Sequence, residues 1–563
     1  MRHVATFISS CWTIRRFNPL RFGVRSHITP LPSGFRLSFL HNPPVLTMAA
    51  AQKEPSPLVI VKSEIELTEI ETKIFDHLLA TLRHFHLQTE LRVAGGWVRD
   101  KLLGKDCFDI DIAIDNMLGS EFVDKVVKYL SSTGEVVQGV GVIPRNPDQS
   151  KHLETARMRL YDLWIDFVNL RCENYSENSR IPTMEFGTAK EDAYRRDLTI
   201  NSLFYNINTG TVEDFTARGI KDLKSGKIVT PLPPKTTFLD DPLRVLRAIR
   251  FGARFGFDLD DELKEAAACE EVRNALSAKI SRERIGTEID LMISGNQPVL
   301  AMRHIVDLSL FSVVFAFPHE LDLPSHQNYE RSSLAYMGAA WDFLNLFGPF
   351  SFSADEKRIV LYAAMFLPFK SITYTDTKGK KQPILNFILK ESLKRKSSDP
   401  EIVIKIHSCV QTFLNLIPWL ARLKNPESPN ISDECDFLDV PPATKLRVVT
   451  GFLVREIKEF WRIGLLVSLL LHIEEEKSVQ KLRLVYMLVE QTIKTLELDN
   501  VWQIKPLVNG KVLMQVLQLK CGGPLISEWQ KKILAWQLAH PHGTVSECIQ
   551  WINENHHKRS RLE

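Results

Sequence analysis

Two aspartates separated by one residue, Asp109 and Asp111, lie in an apolar run that follows a glycine pair, Gly95-Gly96 (residues 92–114, RVAGGWVRDKLLGKDCFDIDIAI). Residues 106–115 alternate apolar and acidic side chains, which is the period of a strand. On a strand, positions i and i+2 project to the same face. Carboxylates held side by side raise one another's pKa unless a cation sits between them. Hard carboxylate oxygens suit Mg²⁺, which takes one or two of them and completes its shell with substrate phosphates and water. A glycine pair ahead of a helix lets the backbone approach a phosphate closely. Arg99, one turn further on, is within reach of a triphosphate oxygen. The stretch reads as a magnesium–nucleotide seat built from a glycine turn and a strand.

The elements that must position this seat can be traced along the chain. Residues 64–90 carry helical spacing, EFVDKVVKYL is a helix, and LWIDFVNL (163–170) is a strand bracketing Asp166. TGEVVQGVGVIPRNPDQSKHLETARMRL starts as a strand, passes through a Gly/Pro/Asn-rich loop and returns to a strand. This mixed α/β unit ends near residue 220. From Asp240 onward strand signals are sparse. DDPLRVLRAIRFGARFGF has helical spacing, with Pro242 in a first turn. SRERIGTEIDLMI is a helix with Ser281 as cap and Arg284 paired to Glu288 at i,i+4. Amphipathic helices continue to about 550. YTDTKGKKQP and LKRKSSDPE read as the least ordered break, and NENHHKRSRLE as a frayed end.

Composition bounds the reading. With 563 residues, 44% hydrophobic and 25% charged, the chain is that of an ordinary globular protein of several domains. A net charge of +3 means that any nucleic acid must bind at local patches. The eight cysteines are scattered without a CxxC, which speaks against zinc and for free thiols. No apolar run suggests a membrane span. Met1 to Lys53 contains no Asp or Glu, while Arg2, Arg15, Arg16, Arg21, Arg25 and Arg36 lie among Ser, Phe and Leu. That is the composition of an organelle transit peptide. Met48 is a candidate second start for a short form.

GGWVRDKLLG followed by DID resembles motif A of the class II CCA-adding tRNA nucleotidyltransferases and the related bacterial poly(A) polymerases, within the polymerase-β-like nucleotidyltransferase superfamily. AYRRDLTINSLFYN (193–206) resembles motif B: Arg196 is expected at a triphosphate, with Arg195 beside it, and Asp197 at the ribose. VEDFTARGIKDLKSGKI (212–228) resembles motif C, carried by Asp214, Gly219, Asp222 and Leu223, with a hinge role. LDDPLRVLRAIRFGARFGF (239–257) resembles motif D, with Asp240 where the family has Glu. ISRERIGTEIDLMI (280–293) resembles motif E, a supporting element.

Motif D also has a reading independent of its name. Cytosine presents an N4 donor beside an N3 acceptor, and adenine an N6 donor beside an N1 acceptor. A carboxylate next to a guanidinium, Asp241 with Arg244, matches both edges and mismatches uracil and guanine. An unsatisfied polar group costs about 1–3 kcal/mol. Arg247, Arg250 and Arg254 follow at helical intervals, able to reach phosphates or pair with acids.

The resemblance implies an α/β catalytic head with a mixed sheet, followed by an all-α neck, body and tail. The expected boundaries are transit peptide 1–47, head 48–220, neck 221–305, body 306–500 and tRNA-contacting tail 501–563. Within the tail, 506–538 resembles the family's tRNA-touching region, except that Cys521-Gly522-Gly523 departs from its pattern. The implied activity is template-independent addition of C, C and A to tRNA 3′ ends. Its substrates are CTP and ATP, and its metal is two Mg²⁺ ions held by catalytic Asp109 and Asp111. Gly96, Arg99, Arg196, Asp197, Asp241, Arg244, Arg247 and Arg250 are the expected nucleotide contacts. Asp166 is a candidate third carboxylate, and the loop between motifs A and B is the expected lever of the change from C to A. The motifs leave open a poly(A)-adding or CC-only relative and a non-catalytic RNA-binding protein. Expected locations are mitochondrion or plastid for the long form, and cytoplasm and nucleus for the short one.

Overall fold

The computed structural model describes residues 59–135, 139–143, 155–176, 179–318, 321, 328–348, 351–421, 442–471, 478–519 and 522–559. The leader 1–47, Met48 and most of the Gly/Pro/Asn-rich loop lie outside them.

Helix α1 (Glu69–His84) opens on a capping box between Thr68 and Glu71. Strand β1 (Leu91–Ala94) leads through Gly95 into α2 (Gly96–Leu102), then to β2 (Ile110–Ile114) and α3 (Gly119–Thr133). Strands β3 (Gly139–Ile143), β4 (Thr155–Leu160) and β5 (Leu163–Asn169) follow. A hairpin of β6 (Arg171–Ser176) and β7 (Ser179–Phe186) comes next, then α4 (Ala189–Tyr194), β8 (Phe204–Asn206), β9 (Thr211–Glu213) and α5 (Gly219–Ser225).

The main sheet has seven strands in the order β3-β4-β5-β2-β1-β8-β9. The β2–β5 pair is parallel and the others are antiparallel. Ile110, Ile112, Ile165 and Phe167 are buried on the side packed by helices, joining Phe122 and Val126 of α3. Period-two alternation leaves the carboxylates of Asp111 and Asp166 on the other side.

Past the head, a short parallel pair, β10 (Lys227–Ile228) with β11 (Asp258–Leu259), brackets α6 (Pro234–Asp240) and α7 (Leu243–Phe255). Helix α7 ends at Gly256 in the left-handed region, φ +70°. Helices α8 (Asp261–Ala268), α9 (Glu270–Lys279) and α10 (Arg282–Ile293) continue the neck. The remaining described residues are mostly helical, and one apolar core runs from the head through the body. A separate cluster of Val508, Leu513, Trp529, Ile533, Cys548 and Ile552 forms the core of the tail. No helix among the described residues is long and apolar enough to cross a membrane.

Three expectations need correction. YTDTKGKKQP is a β-hairpin, Thr373–Thr375 against Lys381–Pro383; Asp376 accepts from the N–H groups of Lys378 and Lys380, and Gly379 supplies φ +76°. NENHHKRSRLE is not frayed as far as Arg559, since the helix Val545–Arg559 runs through it; 560–563 lie outside the described residues. Arg284 does not pair with Glu288. Glu288 is taken by Arg250 at 2.6 Å, and Arg284 turns to Asp241 at 3.2 Å.

Candidate active site

Asp109 is exposed, one residue before β2, and Asp111 is half-buried within it. The parallel register sets Asp111 opposite Asp166, and Asp166 in turn sits opposite Arg157 of β4. Arg157 Nε lies 2.8 Å from Asp166 Oδ1. The carboxyl of Asp111 is pushed up to about 6, first by burial and then by the Asp109 and Asp166 carboxylates. Burial and the neighbouring carboxylates thus disfavour the charged form of Asp111, which a bound cation would favour. Oxygen-only donors with uncompensated charge fit Mg²⁺. Among the described residues no three His, Cys, Asp or Glu side chains form a ready metal group. Two carboxylates would leave the other coordination positions to phosphate and water.

Across from the carboxylates is the glycine turn. Gly95 has φ +75° and ψ −118° and caps α2. A Cβ at Gly95 would stand 2.6 Å from Arg196 Nη1, so Arg196 lies on the turn itself. Arg196 also lowers the pKa of Asp111 electrostatically. The guanidinium on the turn thus partly offsets the rise at Asp111.

Asp192, on α4, aims this guanidinium. Its Oδ2 accepts from Nε and Nη2 of Arg196 at 3.0 and 2.9 Å, and its Oδ1 from Nε of Arg195 at 2.9 Å. Burial pushes the Asp192 carboxyl up, but Arg196 and Arg195 outweigh it and hold the pKa below the ordinary value. The sequence reading missed Asp192. The signal was available, since an acid three and four residues before two arginines shares their helix face.

Arg99 occupies a more enclosed position than its spacing suggested. It is buried, pairs with Asp100 at 2.8 Å, donates to Asn201, and lies over the rings of Phe251 and Phe255 of α7 at 5.1 and 4.7 Å. It remains beside the turn, with Nη2 3.5 Å from where a Cβ on Gly96 would be.

Asp197 is buried, and its Oδ1 accepts from Asn201 Nδ2 at 3.0 Å and from the Leu198 N–H at 2.9 Å. Its Oδ2 takes Arg247 Nε at 2.7 Å. Burial raises its pKa, but Arg247 and Asn201 together bring it below the ordinary range. Asp241 precedes α7, and its Oδ1 accepts the Leu243 N–H at 3.2 Å. Arg244, one turn on, donates Nη2 to the Arg195 carbonyl at 2.7 Å and stands 3.7 Å from Glu173 of β6. Motif B and motif D residues therefore meet at Arg195–Arg244 and Asp197–Arg247. Arg250, paired with Glu288, faces α10 instead, and Arg254 reaches Asp100 at 3.5 Å. Motif C serves as a tie: Asp222 accepts the Thr199 hydroxyl at 2.7 Å, and a Cβ at Gly219 would press on the Thr199 carbonyl at 2.7 Å.

A mixed sheet bearing paired aspartates opposite an arginine-covered glycine turn defines a nucleotidyltransferase, and residues 91–229 match the model of the Poly A polymerase head domain. The chain is 35% identical to the tRNA nucleotidyltransferase cca2 of Schizosaccharomyces pombe over 87% of its length and 99% of that protein's. It is 33% identical to the mitochondrial CCA tRNA nucleotidyltransferase of Saccharomyces cerevisiae over 90% and 97% of the two chains. It belongs to the CCA tRNA nucleotidyltransferase family. The fold agrees. The Thermotoga maritima CCA-adding enzyme complexed with tRNA superposes with a TM-score of 0.54 at 19% identity, covering 88% of this chain and 97% of that one. The Bacillus stearothermophilus CCA-adding enzyme in complex with CTP superposes with 0.57 at 16%, covering 88% and 100%.

Proposed function

We propose how this chain carries out the family's reaction, the addition of C, C and A to the 3′ end of tRNA from CTP and ATP with release of pyrophosphate. Asp109 and Asp111 would hold two Mg²⁺ ions. When bound, the metal supplies Lewis-acid activation of the attacking hydroxyl and neutralises triphosphate charge. The chain's own residues position the reactants. Gly96 brings backbone N–H groups to the triphosphate, and Arg196, fixed by Asp192, offers it a charged donor. Arg99 lines the same turn from beneath. Asp197 accepts from the ribose 2′-OH, which favours NTP over dNTP.

Asp241 accepts the exocyclic amine of cytosine or adenine, and Arg244 donates to the adjacent ring nitrogen. A carboxylate has about four acceptor sites, and the two contacts of Asp241 among the described residues leave capacity for the base. Arg247 holds Asp197, and Arg250 holds α10, so both act on the nucleotide through the groups they aim. Catalysis is mostly positioning and charge stabilisation around an in-line attack. The body and tail grip the tRNA by shape and phosphates. The leader 1–47 directs the long form to mitochondria, in keeping with the yeast relative's name, and a start at Met48 yields a cytosolic and nuclear form.

The observation that carries this reading is Arg196, lying on the Gly95 turn while acting on Asp111. The test is to incubate the protein with tRNA ending before CCA or ending in CC, and with each labelled NTP. Incorporation of C, C, A on the first and A on the second is expected, and growth of a poly(A) tract would refute it. Asp109→Ala should abolish incorporation while tRNA binding persists.

A further inference from the structure

We infer that Arg284 is a positioning residue for nucleotide choice: from α10 it fixes the carboxylate of Asp241, and because α10 is locked to the helical body, the base-reading carboxylate is aimed from the body side. This rests on the base-reading role proposed for Asp241.

Among the described residues, each oxygen of Asp241 has one protein partner. Oδ1 takes the Leu243 N–H of α7, and Oδ2 takes Arg284 Nη2, both at 3.2 Å. The plane of the carboxylate is thus set jointly by α7 and α10. One turn after Arg284, Glu288 accepts from Arg250 of α7 at 2.6 Å, a second tie between the same two helices.

Arg282, Gly286 and Asp290, spaced at i, i+4 and i+8, face the body instead. Arg282 donates to the carbonyls of Ser392 and Val313 at 2.7 and 2.8 Å. A Cβ on Gly286 would stand 1.7 Å from the Leu393 carbonyl oxygen, so only glycine permits this approach. Asp290 takes Arg395 at 2.9 Å, and Arg358 and the Tyr362 hydroxyl at 3.0 and 2.9 Å. Arg358 is clamped in turn by both oxygens of Asp399. Helix α10 is therefore a rigid strut with the body on one side and the base-reading segment on the other.

The Arg284–Asp241 pair is poorly explained as a stabilising contact. Its side chains are 35% and 19% exposed, where an ion pair adds little to stability. Arg284 Nη1 is buried and makes no hydrogen bond among the described residues, whereas a pair built for strength would be bidentate.

The test uses full-length Arg284→Gln, Arg284→Lys, Asp241→Asn and the Arg284→Gln/Asp241→Asn double variant. The kcat/KM ratio of CTP to UTP is measured on tRNA ending before CCA, and that of ATP to GTP on tRNA ending in CC. Arg284→Gln is expected to lower at least one ratio about tenfold, the effect of one charge-assisted contact. Tm and the Kd for tRNA should hold, Arg284→Lys should recover part of the ratio, and Arg284→Gln should add no loss once Asp241 is Asn. Unchanged ratios, an equal fall for all four nucleotides, or additive losses would overturn the inference. If Asp241→Asn itself leaves both ratios intact, the base-reading role falls and this inference with it. If Asp241→Asn lowers them and Arg284→Gln does not, only this inference falls.

Discussion

Asp197 and Arg247 form an ion pair, Nε to Oδ2 at 2.7 Å, that joins the head to helix α7. The carboxylate proposed to sense the ribose is also an anchor of the helix that carries Arg244 of the proposed base-reading pair. On the proposed roles, sugar and base selection are mechanically joined, and a change at one should appear in the other.

Asp197→Asn should lower discrimination of CTP over dCTP about tenfold through loss of a charged acceptor. It should also lower the CTP-to-UTP ratio, since α7 loses its anchor. Competition kinetics with paired nucleotides measure both. Intact ribose selectivity would count against the assignment.

A single carboxylate, Asp192, holds both Arg195 and Arg196, so Asp192→Asn should raise KM for CTP and ATP together and destabilise the fold by about 3 kcal/mol. The pH dependence has a definite sign. The folded pKa of Asp192 lies below its unfolded value, so its stabilisation is present above the unfolded value, ~3.9, and is lost as pH falls through the folded one. Denaturant titrations across that acid window should give a shallower fall in stability for Asp192→Asn than for the natural protein.

Gly95→Ala places a side chain at φ +75° and presses it against Arg196 Nη1 at 2.6 Å. The backbone strain alone costs about 1–3 kcal/mol. The displaced guanidinium should cost nucleotide affinity as well, so KM for both nucleotides should rise while the Kd for tRNA stays near its natural value. Steady-state kinetics alongside a tRNA-binding titration separate the two effects.

The parts of this arrangement that were legible in the sequence are those set by short-range periodicity. Alternation about Asp109 and Asp111 marked β2, LWIDFVNL marked β5, and the 3.6-residue repeat marked α7. Local pattern could not supply the partners. Asp111 meets Asp166 across a parallel pair, and parallel registry depends on a crossover rather than a turn. Arg284 lies four residues before Glu288 on one helix, which favours a local pair, yet tertiary packing gives Glu288 a partner on α7, Arg250, and Arg284 a partner just ahead of α7, Asp241. The hairpin at 373–383 was hidden because its strands are only three residues each and mostly polar.

The proposed mechanism has Asp109 and Asp111 hold the divalent ions that meet the incoming nucleotide. Its most direct test is Mn²⁺ binding, followed by electron paramagnetic resonance in the presence of a non-hydrolysable CTP analogue. The full-length natural protein is compared with Asp109→Ala and Asp111→Ala. Protein-bound Mn²⁺ that depends on the nucleotide, and is lost in both variants while they remain folded and still bind tRNA, is the expected result. Mn²⁺ bound equally well by either variant would contradict the account.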